Sequence, residues 1–186
     1  MTNQNKLLPG LKCNSVEFFM DNGSIKAITN GSIIDFTQLP FAHMQLLEEE
    51  IEKDKQVKMH LLDMHPNSKY KRLEQFVKCR FGGLDYQADM SSEGVQDGEW
   101  WPCPLRGKCA SEGVLCKAVQ YNGQRLDHQD ITLVQLLSTN NTNEVIANEM
   151  NLPLGSFHLA KKKLYQKLGV QTKQELTIIG QRLNLI

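Results

Sequence analysis

The chain has 186 residues, 40% of them hydrophobic and 7% aromatic, which is enough to bury a core and too apolar for a disordered chain. Lys plus Arg and Asp plus Glu each number 21, so the formal net charge is zero; this excludes a uniformly basic coating protein but leaves room for one basic face. No apolar run approaches the roughly 18–20 residues of a membrane span, so no membrane partner is expected. Residues 1–10 hold one Lys and no apolar stretch before Pro9, unlike a secretory signal. A reducing cytoplasm is therefore the expected compartment, where structural disulfides are disfavoured.

Three zones follow in chain order: an α+β region over 1–78, a Cys-rich and irregular module over 79–125, and a helical domain over 126–186. In the first, Asp21-Asn22-Gly23 and Asn30-Gly31 punctuate short apolar runs and predict hairpin turns between short strands. After Pro40 the composition predicts one helix over 41–64, with Leu46, Leu47, Ile51 and Met59 at roughly helical spacing. Glu48, Glu49, Glu50 and Glu52 make its outer face acidic, a solvated face in the simplest reading and a partner surface in the alternative. Pro66 ends that helix, and a shorter one over 70–78 carries Leu73, Phe76 and Val77.

The middle zone holds seven of the 13 glycines, both tryptophans and four of the five cysteines, without periodicity. A stretch of about 45 irregular residues inside a compact protein needs something to hold it. Cys103, Cys109 and Cys116 are separated by five and six residues, and 23 residues lie between Cys79 and Cys103. Four thiolates at these positions predict a metal site, either closed tetrahedral zinc or an iron–sulfur cluster. Zinc is the first choice, because no further redox machinery is evident. Pro102, Pro104, Gly107 and Gly113 supply the bends that return the chain to one point. Arg80, Arg106 and Lys108 offset the charge of such a site or are simply solvated. Trp100 and Trp101 are expected to shield it. Cys13 stands apart as a lone thiol, and His60, His65 and His128 are the histidines that could replace a cysteine ligand. Buried, unligated thiols are the competing reading.

In the third zone Ile131, Val134 and Leu137, broadened by Leu133 and Leu136, line a first helix that breaks at Ser138-Thr139-Asn140-Asn141. Thr142 is the expected N-cap of a second helix with Val145, Ile146 and Met150 as buried candidates. Pro153 stands near the start of a third, which Gly169 closes in the left-handed C-terminal position. A fourth covers about 172–183. The fold class expected is therefore mainly α: a C-terminal four-helix helix-turn-helix domain behind an α+β, Cys-rich irregular N-terminal region.

Two helices joined by a short turn, the second carrying Lys161-Lys162-Lys163 and Lys167, form the arrangement that reads DNA. Lysines neutralise phosphates, while short polar side chains near the helix start reach base edges. A soluble lysine-rich surface is the alternative. Residues 136–170 resemble the LuxR/GerE-type helix-turn-helix of transcription regulators. The family's Leu-Leu pair and Ser-Asn-Lys-Glu-Ile-Ala box correspond to Leu136-Leu137 and Thr142-Asn143-Glu144-Val145-Ile146-Ala147. Its Lys-Leu-Gly-Val ending corresponds to Lys167-Leu168-Gly169-Val170, and its Leu-Ile finish to Leu185-Ile186. Asn140 stands where the family has Gly, Val145 where a capping Glu is expected, Pro153 where a Ser or Thr commonly caps, and His158 and Ala160 where Lys and His are usual.

The resemblance implies double-stranded DNA as partner, read by Ser156, His158, Lys161, Lys162 and Lys163, with Lys167 farther out on the backbone and Thr142 and Asn143 near a phosphate. Phe157, Leu159, Leu164 and Leu168 are read as core or semi-core. It also implies a homodimer through the last helix around Thr177, Ile178 and Leu183, for which a packed intramolecular face is the equal alternative, and RNA polymerase as a further partner of a regulator. No enzymatic activity is expected. There is no phosphate-cradling loop, His-Glu-x-x-His pair or Gly-x-Ser-x-Gly elbow. Phe81-Gly82-Gly83-Leu84-Asp85 lacks the Lys or Ser/Thr of a nucleotide loop. Glu99 beside the cysteines could act on zinc-bound water only if the metal kept an open position, which four thiolates do not leave. The alternatives to a DNA-binding regulator are a protein–protein interaction module and an iron–sulfur redox sensor.

Overall fold

A computed structural model describes residues 7–186. The fold is α+β: the described residues are 44% helical and hold seven α-helices, with small antiparallel sheets mostly toward the N-terminus and a helical C-terminal region. It divides into two compact units, one ending at Lys117 and one spanning Ala118–Ile186. No helix among the described residues is long and apolar enough to cross a membrane.

The first unit opens with a three-stranded antiparallel meander, β1 (Glu17–Asp21), β2 (Ser24–Thr29) and β3 (Ser32–Asp35). Two-residue turns join the strands where the sequence predicts them. Asn22 and Gly23 have φ of 48° and 86°, and Asn30 and Gly31 have 48° and 76°, the paired left-handed residues that match the twist of a hairpin. Val16 and Phe18 with Ile25 and Ala27 are buried on one face of the sheet, and Phe36, Phe76 and Phe81 join them. Phe18 lies 6.2 Å from Phe36 and 6.1 Å from Phe81, and Phe76 meets Phe81 edge-on.

The single helix expected over 41–64 is two: α1 (Phe41–Lys53) and α2 (Lys55–Met64). Leu47 and Ile51 are buried from α1, and Val57 and Leu61 from α2. In one continuous helix the second pair would point about 80° away from the first. Breaking the helix turns both pairs into the core. Asp54 makes the break, its carboxylate accepting from the N–H groups of Gln56 and Val57 at 2.9 and 3.2 Å. Asp54→Ala should cost about 1 kcal/mol. Denaturant unfolding followed by tryptophan fluorescence checks this, because Trp100 and Trp101 both lie in the first unit. Three of the four glutamates of the acidic run on α1 pair with lysines: Glu50 with Lys53, Glu52 with Lys58, and Glu48 with Lys69. Lys69 opens α3 (Lys69–Arg80), which is longer than the sequence suggests and ends just after Cys79. The loop beyond folds into a two-residue hairpin, β4 (Met90–Ser91) and β5 (Gly94–Val95). Val16 bridges to Met90 beside it.

The second unit starts with a small hairpin, β6 (Gln120–Tyr121) and β7 (Gln124–Arg125), turning through Asn122-Gly123. Four helices follow, α4 (His128–Leu137), α5 (Asn143–Glu149), α6 (Leu154–Leu168) and α7 (Lys173–Arg182). Thr142 caps α5 as expected, while Pro153 precedes α6 and Gly169 closes it at φ 67°. The core collects Ile131, Val134 and Leu137 of α4, Ile146 of α5, Phe157, Leu164 and Leu168 of α6, and Leu176 and Ile179 of α7. Val145, expected inside, is 43% exposed; it lies next to Ile146 on a seven-residue helix and turns away when Ile146 turns in.

Candidate functional site

In the second unit the predicted residues fall into groups on α5 and α6. Burial of Phe157, Leu164 and Leu168 fixes the inner side of α6 and leaves Ser156, His158, Lys162, Lys163 and Gln166 exposed on the other. Lys161 stands at the margin of these sides. Its Nζ lies 3.4 Å from Asn143 Oδ1 and 5.5 Å from the centre of the Tyr165 ring, joining α5 to α6. Asn143, His158, Lys161, Lys162, Tyr165 and Gln166 line one open concavity of about 700 Å³.

Three predicted residues have other engagements. The Thr142 hydroxyl accepts from Val145 N–H at 3.5 Å as the cap of α5. Lys167 pairs with Asp130 of α4 at 2.5 Å, so its charge is already partnered. Thr177 on α7 donates to the Lys173 carbonyl, whereas Ile178 beside it is 50% exposed. Leu159, read as core, is 55% exposed and shares the outer side of α6 with Lys162 and Lys163. It lies two residues after Phe157, about 200° around the helix, so Phe157 turning in turns it out.

In the first unit Cys79 stands on the last turn of α3, while Cys103, Cys109 and Cys116 lie in the loop that follows β5. All four are partly buried free thiols, and Cys13 is exposed. Burial pushes the Cys79 thiol up to about 11, and Cys116, Cys103 and Cys109 are near enough for their charges to add to the rise. No three of the four sulfurs fall within 4.8 Å of one another. The loop is tied to α3 by Arg80, whose Nε donates to the Leu115 carbonyl at 2.8 Å, and to α2 by a 2.9 Å hydrogen bond between His60 and the Ser111 hydroxyl. The Trp101 indole lies flat on Gly82, where any Cβ would come within 2.4 Å of the ring.

A group of carboxylates that composition does not reveal lies at the other end of this loop. One oxygen each of Glu17, Asp85 and Glu99 lies within 4.8 Å of the others. Glu17 and Asp89 are 0% and 4% exposed. Burial first, then the charges of Asp85 and Glu99, pushes Glu17 up to about 8. Burial and Asp85 do the same to Glu99, also about 8, and Asp89 is raised well above the usual range. They staple the loop: Glu17 accepts from Asp85 N–H at 2.8 Å, Glu99 from Gly83 N–H at 2.6 Å, and Asp89 from Phe18 N–H at 2.7 Å. Glu17 opens β1 as the one charged residue in the run Val16 to Met20, and that is the signal the sequence carries. No family model, curated protein or solved structure matches the chain.

Proposed function

We propose that the protein is a transcription regulator that binds duplex DNA through a helix-turn-helix formed by α5, the turn at 150–153 and α6, and that its four partly buried cysteines form a metal centre. The single observation that carries the DNA reading is the exposed side of α6, where His158, Lys162, Lys163, Ser156 and Gln166 stand together above a buried apolar side. Lysine ammonium groups at the edges of such a helix neutralise phosphates, while Ser156, His158 and Gln166 are of a size to meet base edges in a major groove. Leu159 adds an apolar contact of the kind that meets a thymine methyl. The LuxR/GerE resemblance of residues 136–170 supports the same placement. It brings with it a homodimer through α7, where Ile178 is exposed, and RNA polymerase as a partner; a cytoplasmic setting fits the same reading.

Selection of bound sequences from a random duplex pool tests the reading. An enriched motif bound more weakly as salt rises is the expected result, and Leu159→Ala should relax the preference at one A·T position by about 1 kcal/mol or more while leaving the salt slope unchanged. Enrichment of nothing, with salt-independent or absent binding, removes the regulator reading. It would favour instead a protein partner for the exposed apolar side chains of α5 and α6, Val145, Leu154 and Leu159, which are 43%, 42% and 55% exposed.

A further inference from the structure

The cysteine-bearing loop holds more hydrogen-bond donors than it has acceptors for. Trp100 Nε1, Trp101 Nε1 and Arg106 Nη2 are buried and make no hydrogen bond among the described residues. Trp101 is 6% exposed and the Arg106 side chain 8%. None of these groups can accept, and a guanidinium keeps its charge at any ordinary pH. A buried donor without a partner costs about 1–3 kcal/mol, and a charged one more. Glu112 does not settle the balance, because it lies 3.9 Å from Arg106 Nη1 while its other oxygen accepts from Gly107 N–H at 2.6 Å. The loop therefore calls for an acceptor that carries negative charge.

Sulfur stands beside the guanidinium. Arg106 Nη1 lies 3.9 Å from Cys116 Sγ, and Gly113 N–H donates to the same sulfur at 3.5 Å. Gln75 Nε2 donates to Cys79 Sγ at 3.1 Å. A neutral thiol accepts weakly, whereas a metal-bound thiolate is anionic and is normally held by such donors. Arg106 also packs its guanidinium over Trp100 at 5.6 Å and donates from Nε to the Trp101 carbonyl at 3.2 Å, so the three orphan donors belong to one packed group.

Spacing and chemistry separate the two metal choices. Four thiolates at about 2.3 Å from one zinc ion stand only about 3.8 Å apart. No three of the sulfurs here lie within 4.8 Å of one another, so they do not form a closed zinc set as they stand. A four-iron cluster holds its thiolate corners farther apart, because the iron and sulfide core stands between them. It also presents inorganic sulfides, which accept hydrogen bonds from indole and guanidinium groups, and its net charge with four thiolates is negative.

We propose that Cys79, Cys103, Cys109 and Cys116 hold a four-iron, four-sulfur cluster, and that Arg106, with Trp100 and Trp101, forms its buried hydrogen-bond shell. This rests on the metal-centre reading above and selects its chemistry. On ligation each of the four cysteines exchanges its S–H bond for an Fe–S bond and releases a proton to solvent. Arg106 is a positioning and charge-balancing residue. The reduced form of such a cluster would carry one more negative charge than the oxidised form, and the Arg106 guanidinium would stabilise it.

The full chain purified without oxygen should be brown, with about four iron and four acid-labile sulfide per chain. Arg106→Leu should shift the reduction potential to a more negative value and speed loss of the visible band in air, and Arg106→Lys, which keeps the charge, should recover most of the potential. A packing role alone would leave the potential where it is. A colourless protein with about one zinc per chain overturns the cluster and leaves the metal-centre reading standing. Four freely titrating thiols with no metal overturn both. Neither result depends on a cysteine variant that fails to fold, and duplex binding by the same sample reports on the DNA reading separately.

Discussion

Replacing Lys162 and Lys163 together by Ala is expected to weaken duplex binding by on the order of 10- to 100-fold at about 0.1 M salt and to lower the slope of log affinity against log salt by about 1.8. The magnitude follows from counterion release, which contributes about 0.9 to the slope for each phosphate neutralised. These two lysines are chosen over their neighbours on geometry. Both are exposed, whereas Lys161 is engaged with Asn143 and the Tyr165 ring and Lys167 with Asp130. Lys58→Ala is the control, because that lysine pairs with Glu52 in the other unit and its loss should leave the slope unchanged. Titration of a labelled duplex at several salt concentrations reads both quantities. An unchanged slope in the double variant would remove α6 from the interface.

Stability of the first unit is expected to fall as pH rises from about 4.5 to about 8, and Glu17→Gln to remove a large part of that fall. Glu17 and Glu99 ordinarily titrate near 4.5, and the folded chain holds each up to about 8. Between those values the folded state binds protons that the unfolded state has lost, so raising the pH favours unfolding, by about 1.4 kcal/mol per pH unit for each such group. Below about 4.5 both states are protonated and the dependence from these groups ends; above about 8 both are ionised and the loss is complete. Asp85, Asp89 and Glu99 face Glu17, and no arginine or lysine is among the groups that shift it. Glutamine keeps the carbonyl that accepts from Asp85 N–H and has no proton to lose. The variant should therefore gain a few kcal/mol over the parent at pH 8 and nothing at pH 4. Tryptophan-detected unfolding across that range decides it, and a parent protein with a flat profile between pH 5 and 8 would show that the carboxylates are charged in the folded state.

Much of the local structure was legible in the residue order. Asn22-Gly23 and Asn30-Gly31 gave hairpins, Thr142 a cap, Gly169 a left-handed helix end, and the apolar spacing of Ile131, Val134 and Leu137 a helix face. Asn122-Gly123 carried the same hairpin signal inside a stretch that reads as irregular, and it too turns between strands. The break at Asp54 is not legible in the residue order, because charged residues with good helix propensity run straight through it. In the candidate sites, the exposed lysines of α6 and the outward turn of Leu159 follow from the helical period once Phe157, Leu164 and Leu168 face inward, but the ion pair of Lys167 does not.

What the sequence by itself determined is the set of interactions closed within about four residues, since caps, two-residue turns and helical faces depend only on neighbours along the chain. The tertiary structure alone decided that Glu17 and Asp89 are buried beside Asp85 and Glu99, and that Arg106 lies against Cys116 with a nitrogen left unpartnered. Burial of a charge is a property of everything packed around it, and the parts of the chain that do this packing lie far apart in sequence, 71 residues for Phe18 and Asp89.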